Sequence, residues 1–261
     1  MQPLRANPGG QIAPENVVGR DKLIAEIWET LETRSVNLTA ERRIGKTTII
    51  RKMCEQPREK WIPVFQDLER IQTASEFAKD VYEKTVEKLT GWKKFFKRAK
   101  ELYEMVAGIK MGKVELPKLP QKPWKALLEA SVEELVAHQS PHQIVFFWDE
   151  VPYMIDKICK TDGEPTAKEL LDVLRALRQQ HSGFKMVVTG SIGLHHVLTT
   201  LKKGGYKNEP FNDMTKIDVE PLDPGHGAEL AASLIAGERL EPSDTEKAAK
   251  HISKQADHFP F

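Results

Sequence analysis

The segment that decides the fold is NLTAERRIGKTTIIRKM, Asn37 to Met53. A short apolar strand over Ser35 to Thr39 leads through a turn to Gly45-Lys46-Thr47, which opens a predicted helix over Lys46 to Glu55. This is nearly the phosphate-binding loop pattern G-x-x-x-x-G-K-[ST], with Ala40 in place of the first glycine. In such a loop the backbone N–H groups point at phosphate oxygens, the lysine adds positive charge, and the neighbouring hydroxyl binds Mg²⁺. The motif assigns these roles to Gly45, Lys46 and Thr47.

Ala40 raises the question of whether this loop can work. An alanine restricts the backbone if its position needs unusual dihedral angles, yet it removes no donor and no ligand. We therefore expect Ala40 to affect affinity and turnover more than the existence of the site. The tripeptide GKT alone also occurs as a basic helix cap, so a second signal is needed.

That second signal is the apolar strand IVFFWDE, which ends in Asp149 and Glu150. Acids at the carboxyl end of a buried parallel strand lie at the ligand-binding edge of the sheet. Asp149 would orient Mg²⁺ through water, and Glu150 would polarise the attacking water. Any strand end can also carry acids into solvent, but the two motifs together predict a nucleotide site.

The rest of the chain alternates strands with helices, which predicts an α/β fold with a parallel sheet covered on both faces. Further strands are predicted in WIPVFQDL, FKMVVTGS and KIDVEPL. Helices are predicted after Asp21, where apolar residues from Leu23 to Leu31 have helical spacing, from about Ala74, over Trp124 to His138, over Pro165 to Gln180, from about His195, and twice from Pro224 on. The Lys- and Pro-containing stretch at about 87–122 is predicted to be an insertion.

Composition excludes several classes of protein. The 261 residues carry a net charge of +1, so the overall charge does not indicate binding to nucleic acid or to a membrane. The two cysteines form no C-x-x-C pair, which disfavours a disulfide framework or a zinc site and favours a reducing cytoplasm. The sequence shows no signal peptide and no apolar run of roughly 18 residues, so we expect a soluble, cytoplasmic protein without a membrane span.

The motifs together resemble those of the AAA+/STAND P-loop ATPases, in particular the MNS clade, which is related to the origin-recognition ATPases. The resemblance rests on VVGRDKLI, ERRIGKTT, VFFWDEVPYMI, MVVTGSIGL and PFND…IDVEPLD, from about Val17 to the end. It implies a three-layer α/β sandwich of the ASCE/AAA+ type with a parallel P-loop sheet and a small C-terminal helical lid. It also implies that the P-loop strand neighbours the Walker B and sensor strands on different sides.

The resemblance also implies roles for individual residues. Near the adenine it places Val18, Gly19 and Arg20. The Walker A residues expected to contact nucleotide are Arg42, Arg43, Ile44, Gly45, Lys46, Thr47 and Thr48. Thr47 and Asp149 would hold Mg²⁺, and Lys46 and Glu150 would be catalytic. The sensor would be either Thr189 or Ser191, with Ser191 favoured.

The expected domains are a flexible N-terminal tail over 1–16, an ATPase core over 17–223 and a helical lid over 224–261. Family members usually continue into a winged helix, so we expect this lid to be incomplete. Arg175 and Arg178 are candidate arginine fingers; alternatively, one faces solvent and the other lies over the sheet.

Two further features allow more than one interpretation. The basic segment GWKKFFKRAK, Gly91 to Lys100, is either a contact for nucleic acid, anionic lipid or a partner, or an aromatic anchor with a solvated lysine face; the second is favoured. Asp67 is either an outer Mg²⁺ contact or a plain strand-end acid, and again the second is favoured. The adjacent pair His195 and His196 does not suggest a metal site.

The predicted function is an ATP-binding and ATP-hydrolysing module with Mg²⁺ and ATP or ADP as its cofactors. By the resemblance, it would be a nucleotide-dependent switch or assembly motor in a prokaryotic signalling or defence system, slow alone and completed by a homo-oligomer or partner protein. One alternative is a DNA-binding loader ATPase, which the near-neutral charge disfavours. Another is a nucleotide-bound scaffold without turnover, which the presence of Glu150 disfavours.

Overall fold

The computed structural model describes residues 3–7, 10, 12–88, 96–108, 122–190 and 194–260. Within them, five parallel strands form one sheet in the order β2-β3-β4-β1-β5. The strands are β1 (Val36–Thr39), β2 (Trp61–Asp67), β3 (Gln143–Asp149), β4 (Lys185–Val188) and β5 (Thr215–Asp218). The predicted α/β fold with a parallel sheet is confirmed.

Helices precede, connect and follow these strands. They are α1 (Asp21–Leu31), α2 (Lys46–Glu55), α3 (Ala74–Lys88), α4 (Lys97–Val106), α5 (Pro123–His138), α6 (Val151–Thr161), α7 (Glu164–Gln180), α8 (Leu194–Lys203), α9 (Pro224–Gly237) and α10 (Thr245–Gln255). Short 3-10 helices span Pro14–Asn16 and Leu68–Arg70. Helices α4 and α6 were not predicted from the sequence. None of the helices described here is both long and apolar enough to span a membrane.

Strand β3 shows why the fold has three layers. Its alternate residues Ile144, Phe146 and Trp148 belong to the core that α3, α5, α6 and α7 cover. Val145 and Phe147 belong to a second core, on the opposite face, which α1 and α2 cover. Successive side chains of a strand point to opposite faces, so an unbroken apolar run is suited to a strand buried on both sides.

The strand order corrects one expectation of the resemblance. The P-loop strand β1 does not neighbour the Walker B strand β3, because β4 lies between them: Val187 pairs with Val36 on one side and with Phe147 on the other. Strand β1 lies between β4 and β5. From β1 the chain crosses to the far edge of the sheet, and from β4 it crosses to the other edge. Ligands of such sheets bind at the carboxyl ends beside this reversal.

Helices α9 and α10 pack against each other around a small cluster of their own, formed by Ala231, Ile235 and Ala249. The N-terminal segment lies across this hairpin, since the Leu4 N–H donates to the Ser233 carbonyl at 3.0 Å. The division of the chain into tail, core and lid stays a prediction.

Of the two candidate arginine fingers, Arg178 forms a buried ion pair within the fold. Its side chain is 3% exposed and binds both carboxylate oxygens of Asp213 at 2.9 Å. The same guanidinium also donates to the Pro210 carbonyl. This ion pair fixes α7 to the segment that leads into β5, so Arg178 is a structural residue.

Replacing Arg178 with methionine is expected to lower the free energy of unfolding by about 3 kcal/mol at neutral pH, because Asp213 stays charged and partly buried without its partner. Burial raises the pKa of Asp213, but the hydrogen bond and charge of Arg178 outweigh it and hold that pKa below its usual range. The contribution of the pair is therefore complete above the unfolded-state pKa and is lost as the pH falls through the folded-state pKa. Urea unfolding at neutral and strongly acidic pH checks this, and a loss that does not shrink in acid would contradict it.

Candidate active site

The loop between β1 and α2 answers the question that Ala40 raised. Among the described residues of this loop, the positive φ angles belong to Arg43, at 66°, and Gly45, at 94°. Ala40 does not have a positive φ, so its side chain costs the backbone nothing there. Gly45 sits directly before α2 in the left-handed region, where glycine is favoured.

Lys46 lies under this loop. Its side chain is largely buried, with the residue 7% exposed, and its Nζ donates to the carbonyls of Ala40 at 3.0 Å and Glu41 at 2.8 Å. Burial lowers the pKa of Lys46, while the negative charges of Glu150 and Asp149 act in the opposite direction. The lysine is therefore electrostatically coupled to the two acids that follow β3.

Asp149 is the point at which three elements meet. Its Oδ2 accepts a hydrogen bond of 2.5 Å from Thr47 Oγ1 on α2, and its Oδ1 accepts one from Thr189 Oγ1 after β4. The Glu150 N–H donates to Oδ1 at 3.1 Å. These three donors satisfy a carboxylate that is only 5% exposed.

Glu150 has an unusual backbone for a glutamate. Its φ and ψ are 59° and 34°, in the left-handed region, and α6 begins at the next residue, Val151. The Val151 N–H donates to the Thr189 carbonyl at 3.1 Å, which holds this sharp turn against the end of β4. A left-handed conformation costs a residue with a side chain about 1 kcal/mol or more, and such strained residues cluster at functional sites.

An apolar cavity adjoins the loop. Its lining includes Val17, Val18, Arg20, Ile44, Gly45, Thr48 and Ile49, and from elsewhere Ile12, Asn16, Leu230 and Pro260. Of the three residues predicted to lie near the adenine, Val18 and Arg20 line this cavity, and Ile44, Gly45 and Thr48 of the predicted loop line it too, together with residues of α9 and the C-terminal segment. Six lining residues were not predicted as site residues: Val17 and Ile49, which flank predicted residues, and Ile12, Asn16, Leu230 and Pro260, which no motif marks in the sequence.

The remaining predicted residues differ in what the structure shows of them. Arg42 and Arg43 are exposed on the loop. Ser191 lies outside the described residues, so of the two sensor candidates the structure places only Thr189, against Asp149. Asp67 accepts a hydrogen bond from the Glu69 N–H and begins a 3-10 helix, as a strand-end acid does.

The described part of the basic segment, residues 96–100, agrees with the second interpretation, an aromatic anchor with a solvated basic face. Phe96 is buried in the larger core, whereas Lys97 is exposed. Arg98 forms an ion pair of 2.8 Å with Glu133, which reduces the positive charge available to a polyanion. Residues 89–95 lie outside the described part of the chain.

The donor set fits a magnesium ion. Mg²⁺ prefers oxygen ligands and usually keeps several waters besides one or two protein groups and the phosphates of its substrate. Thr47 Oγ1 and Asp149 Oδ2 supply adjoining hydroxyl and carboxylate oxygens. Across the described residues, no cluster of three or more His, Cys, Asp or Glu side chains could hold a metal ion by itself.

No protein-family model and no curated protein matches this sequence. Among solved structures, the chain is similar to the Walker-type ATPase PABY2304 of Pyrococcus abyssi, with a TM-score of 0.63 and 18% identity over 97% of this chain and 67% of that one. A second similar structure is the ORC2 protein of Aeropyrum pernix in complexes with ADPNP and ADP, with a TM-score of 0.48 and 12% identity over 83% of this chain and 49% of that one. The first likeness shows that this chain has the fold of a P-loop ATPase.

Proposed function

We propose that this chain binds ATP together with Mg²⁺ at the carboxyl edge of its sheet and hydrolyses it slowly. The observation that carries the proposal is the contact between the Thr47 hydroxyl and the Asp149 carboxylate, beside the buried Lys46. A helix-start hydroxyl, a strand-end carboxylate and a lysine under a glycine loop are the parts that phosphoryl transfer requires.

Each residue has a distinct role in this proposal. Lys46 stabilises the charge on the β- and γ-phosphates, and the N–H groups at the start of α2 bind their oxygens. Thr47 and Asp149 hold Mg²⁺, which when bound neutralises phosphate charge. Glu150 orients the attacking water and accepts its proton. Thr189 donates to Asp149 and so fixes the direction of that carboxylate.

The apolar cavity next to the loop would take the base of the nucleotide. Its aliphatic side chains, including Val18, Ile49 and Leu230, suit the flat faces of a purine. The cavity is formed partly by α9, so a bound nucleotide would touch both the sheet and the predicted lid.

We propose further that hydrolysis serves as a switch or assembly motor of the AAA+/STAND kind, in prokaryotic signalling or defence. Phosphoryl transfer commonly uses a second cation besides the P-loop lysine. Arg178 is occupied by Asp213, which supports a site completed by another copy of the chain or by a partner protein.

Replacing Thr47 with valine is expected to raise the Mg²⁺ concentration needed for half-maximal ATP binding by about tenfold, since one oxygen ligand is lost at a cost of about 1.4 kcal/mol. Thr47→Ser keeps the hydroxyl and should restore the parent value. Thr166→Val is the matched control, because it removes a hydroxyl in the first turn of α7 that donates only to the Asp162 carbonyl, at 3.0 Å. Fluorescence titration of ATP binding against Mg²⁺ concentration measures the effect. If the Thr47→Val titration curve is the same as that of the parent protein, Thr47 is not a magnesium ligand.

Phosphate release from ATP tests the proposed turnover. The proposal predicts slow, Mg²⁺-dependent release by the wild-type protein above the rate of buffer alone. Tight nucleotide binding without any release would instead favour a nucleotide-bound scaffold. Release that depends on added DNA, and loses this dependence at high salt, would favour a loader ATPase.

A further inference from the structure

Arg20 joins two distant segments of the main chain. Its residue is 6% exposed, its Nη1 donates to the Glu220 carbonyl at 2.7 Å, and its Nη2 donates to the Ile44 carbonyl at 3.2 Å. Ile44 belongs to the phosphate-binding loop, and Glu220 lies between β5 and α9. A buried guanidinium needs such acceptors because its charge has lost water, and burial indeed lowers the pKa of Arg20.

The contact with Ile44 bears directly on the phosphate site. The Ile44 carbonyl and the Gly45 N–H belong to the same planar trans peptide, so they point in opposite directions. When Arg20 holds the carbonyl, it also sets the direction of the Gly45 N–H. Any rotation of this peptide toward a phosphate would displace the carbonyl to which Arg20 is bonded.

Residues 17–19, directly before Arg20, also lie against α9. Gly19 has a φ of 69°, and a Cβ at this position would lie 2.7 Å from the Cβ of His226, in the first turn of α9. Val17 and Val18 line the apolar cavity together with Leu230 of α9. Residues 17–20 therefore contact the loop, the cavity and the helix that follows the sheet.

We propose that Arg20 is a positioning residue that transmits nucleotide binding from the phosphate-binding loop to α9. The proposal rests on the proposed function, because it requires a phosphate at the loop. In this account a nucleotide fixes the peptide between Ile44 and Gly45, Arg20 carries that restraint to Glu220, and the α9–α10 hairpin is held against the cavity. Arg20 does not contact the nucleotide in this role.

Hydrogen–deuterium exchange of residues 220–237, with and without ATP·Mg²⁺, tests the transmission, and calorimetry on the same samples reports binding. In the wild-type protein, nucleotide should slow exchange in this segment. In Arg20→Met, binding should weaken by about tenfold, and at saturating nucleotide the slowing in 220–237 should be lost. Arg178→Met is the matched control: it also removes a buried guanidinium, and it should keep the nucleotide-dependent slowing.

Arg20→Lys is a second variant for the same exchange measurement, and it tests the role of Arg20 if Arg20→Met does not fold. A single ammonium cannot span both carbonyls, so this variant should bind ATP less tightly than the wild-type protein, and at saturating nucleotide its slowing in 220–237 should be reduced. Full slowing in either folded Arg20 variant at saturation would overturn the role of Arg20 and leave the proposed function standing. Absence of ATP binding by the wild-type protein would overturn both.

Discussion

Replacing Lys46 with alanine is expected to weaken ATP·Mg²⁺ binding by about 100-fold. The Lys46 ammonium interacts electrostatically with Glu150 and Asp149. It also contacts the Ala40 carbonyl in the loop that would enclose the phosphates. Charge-assisted hydrogen bonds of this kind contribute about 1.5–3 kcal/mol, and about 1.4 kcal/mol corresponds to tenfold in affinity. Calorimetric titration with ATP in excess Mg²⁺ measures the loss.

The control for this variant is Arg51→Ala, which removes a cation from the same helix. Arg51 lies over the ring of Phe65, 4.8 Å from its centroid, and should have little influence on affinity. Lys46 also donates to the carbonyls of Ala40 and Glu41, so thermal unfolding must show that the variant is folded. A folded Lys46→Ala protein with the affinity of the parent would contradict the proposed phosphate site.

Replacing Glu150 with glutamine is expected to lower the rate of phosphate release by about 10²–10⁴-fold and to leave ATP affinity nearly unchanged. The amide keeps the size of the side chain but cannot accept a proton from the attacking water, and general-base catalysis contributes about this factor. Single-turnover phosphate release and equilibrium binding, measured on the same preparation, separate the two effects.

Asp67→Asn is the matched control for Glu150, because it alters another acid at the same edge of the sheet. Asp67 pairs in register with Asp149, but its side chain accepts from the Glu69 N–H. Its replacement should leave release unchanged. Equal, negligible rates for wild-type and Glu150→Gln proteins would remove the hydrolase proposal, and a loss in Asp67→Asn would assign Asp67 to the metal site.

Local sequence patterns predicted the elements that carry the candidate site. The helix predicted over Lys46 to Glu55 has those bounds in the structure, because its glycine start and its apolar spacing are both local signals. The strand ending in Asp149 was equally clear, since a long apolar run is suited to burial on both faces.

The strand order could not be predicted in the same way. Pairing of β1 with β4 joins residues far apart in the sequence, and no local pattern records which strands become neighbours. Helix α6 was missed because it follows β3 at once, with the left-handed Glu150 as its first flanking residue instead of a usual cap.

Side-chain roles were predicted less well than element positions. Arg20 was expected near the adenine and does line the cavity, but its guanidinium binds two carbonyls that sequence alone cannot assign to it. Arg178 was predicted as a candidate arginine finger, but its guanidinium is paired with Asp213. Long polar side chains reach several neighbours, so their partners depend on tertiary packing.

Calorimetric titration of ATP into the wild-type protein, once with Mg²⁺ and once with EDTA, tests the central claim most directly. The claim is that Thr47 and Asp149 form one divalent-cation and phosphate site beside Lys46. In the structure Thr47 Oγ1 lies 2.5 Å from Asp149 Oδ2. The account predicts saturable heat with Mg²⁺ that is greatly weakened in EDTA. The same titration is run with GTP, and the absence of Mg²⁺-dependent heat with both nucleotides would contradict the claim.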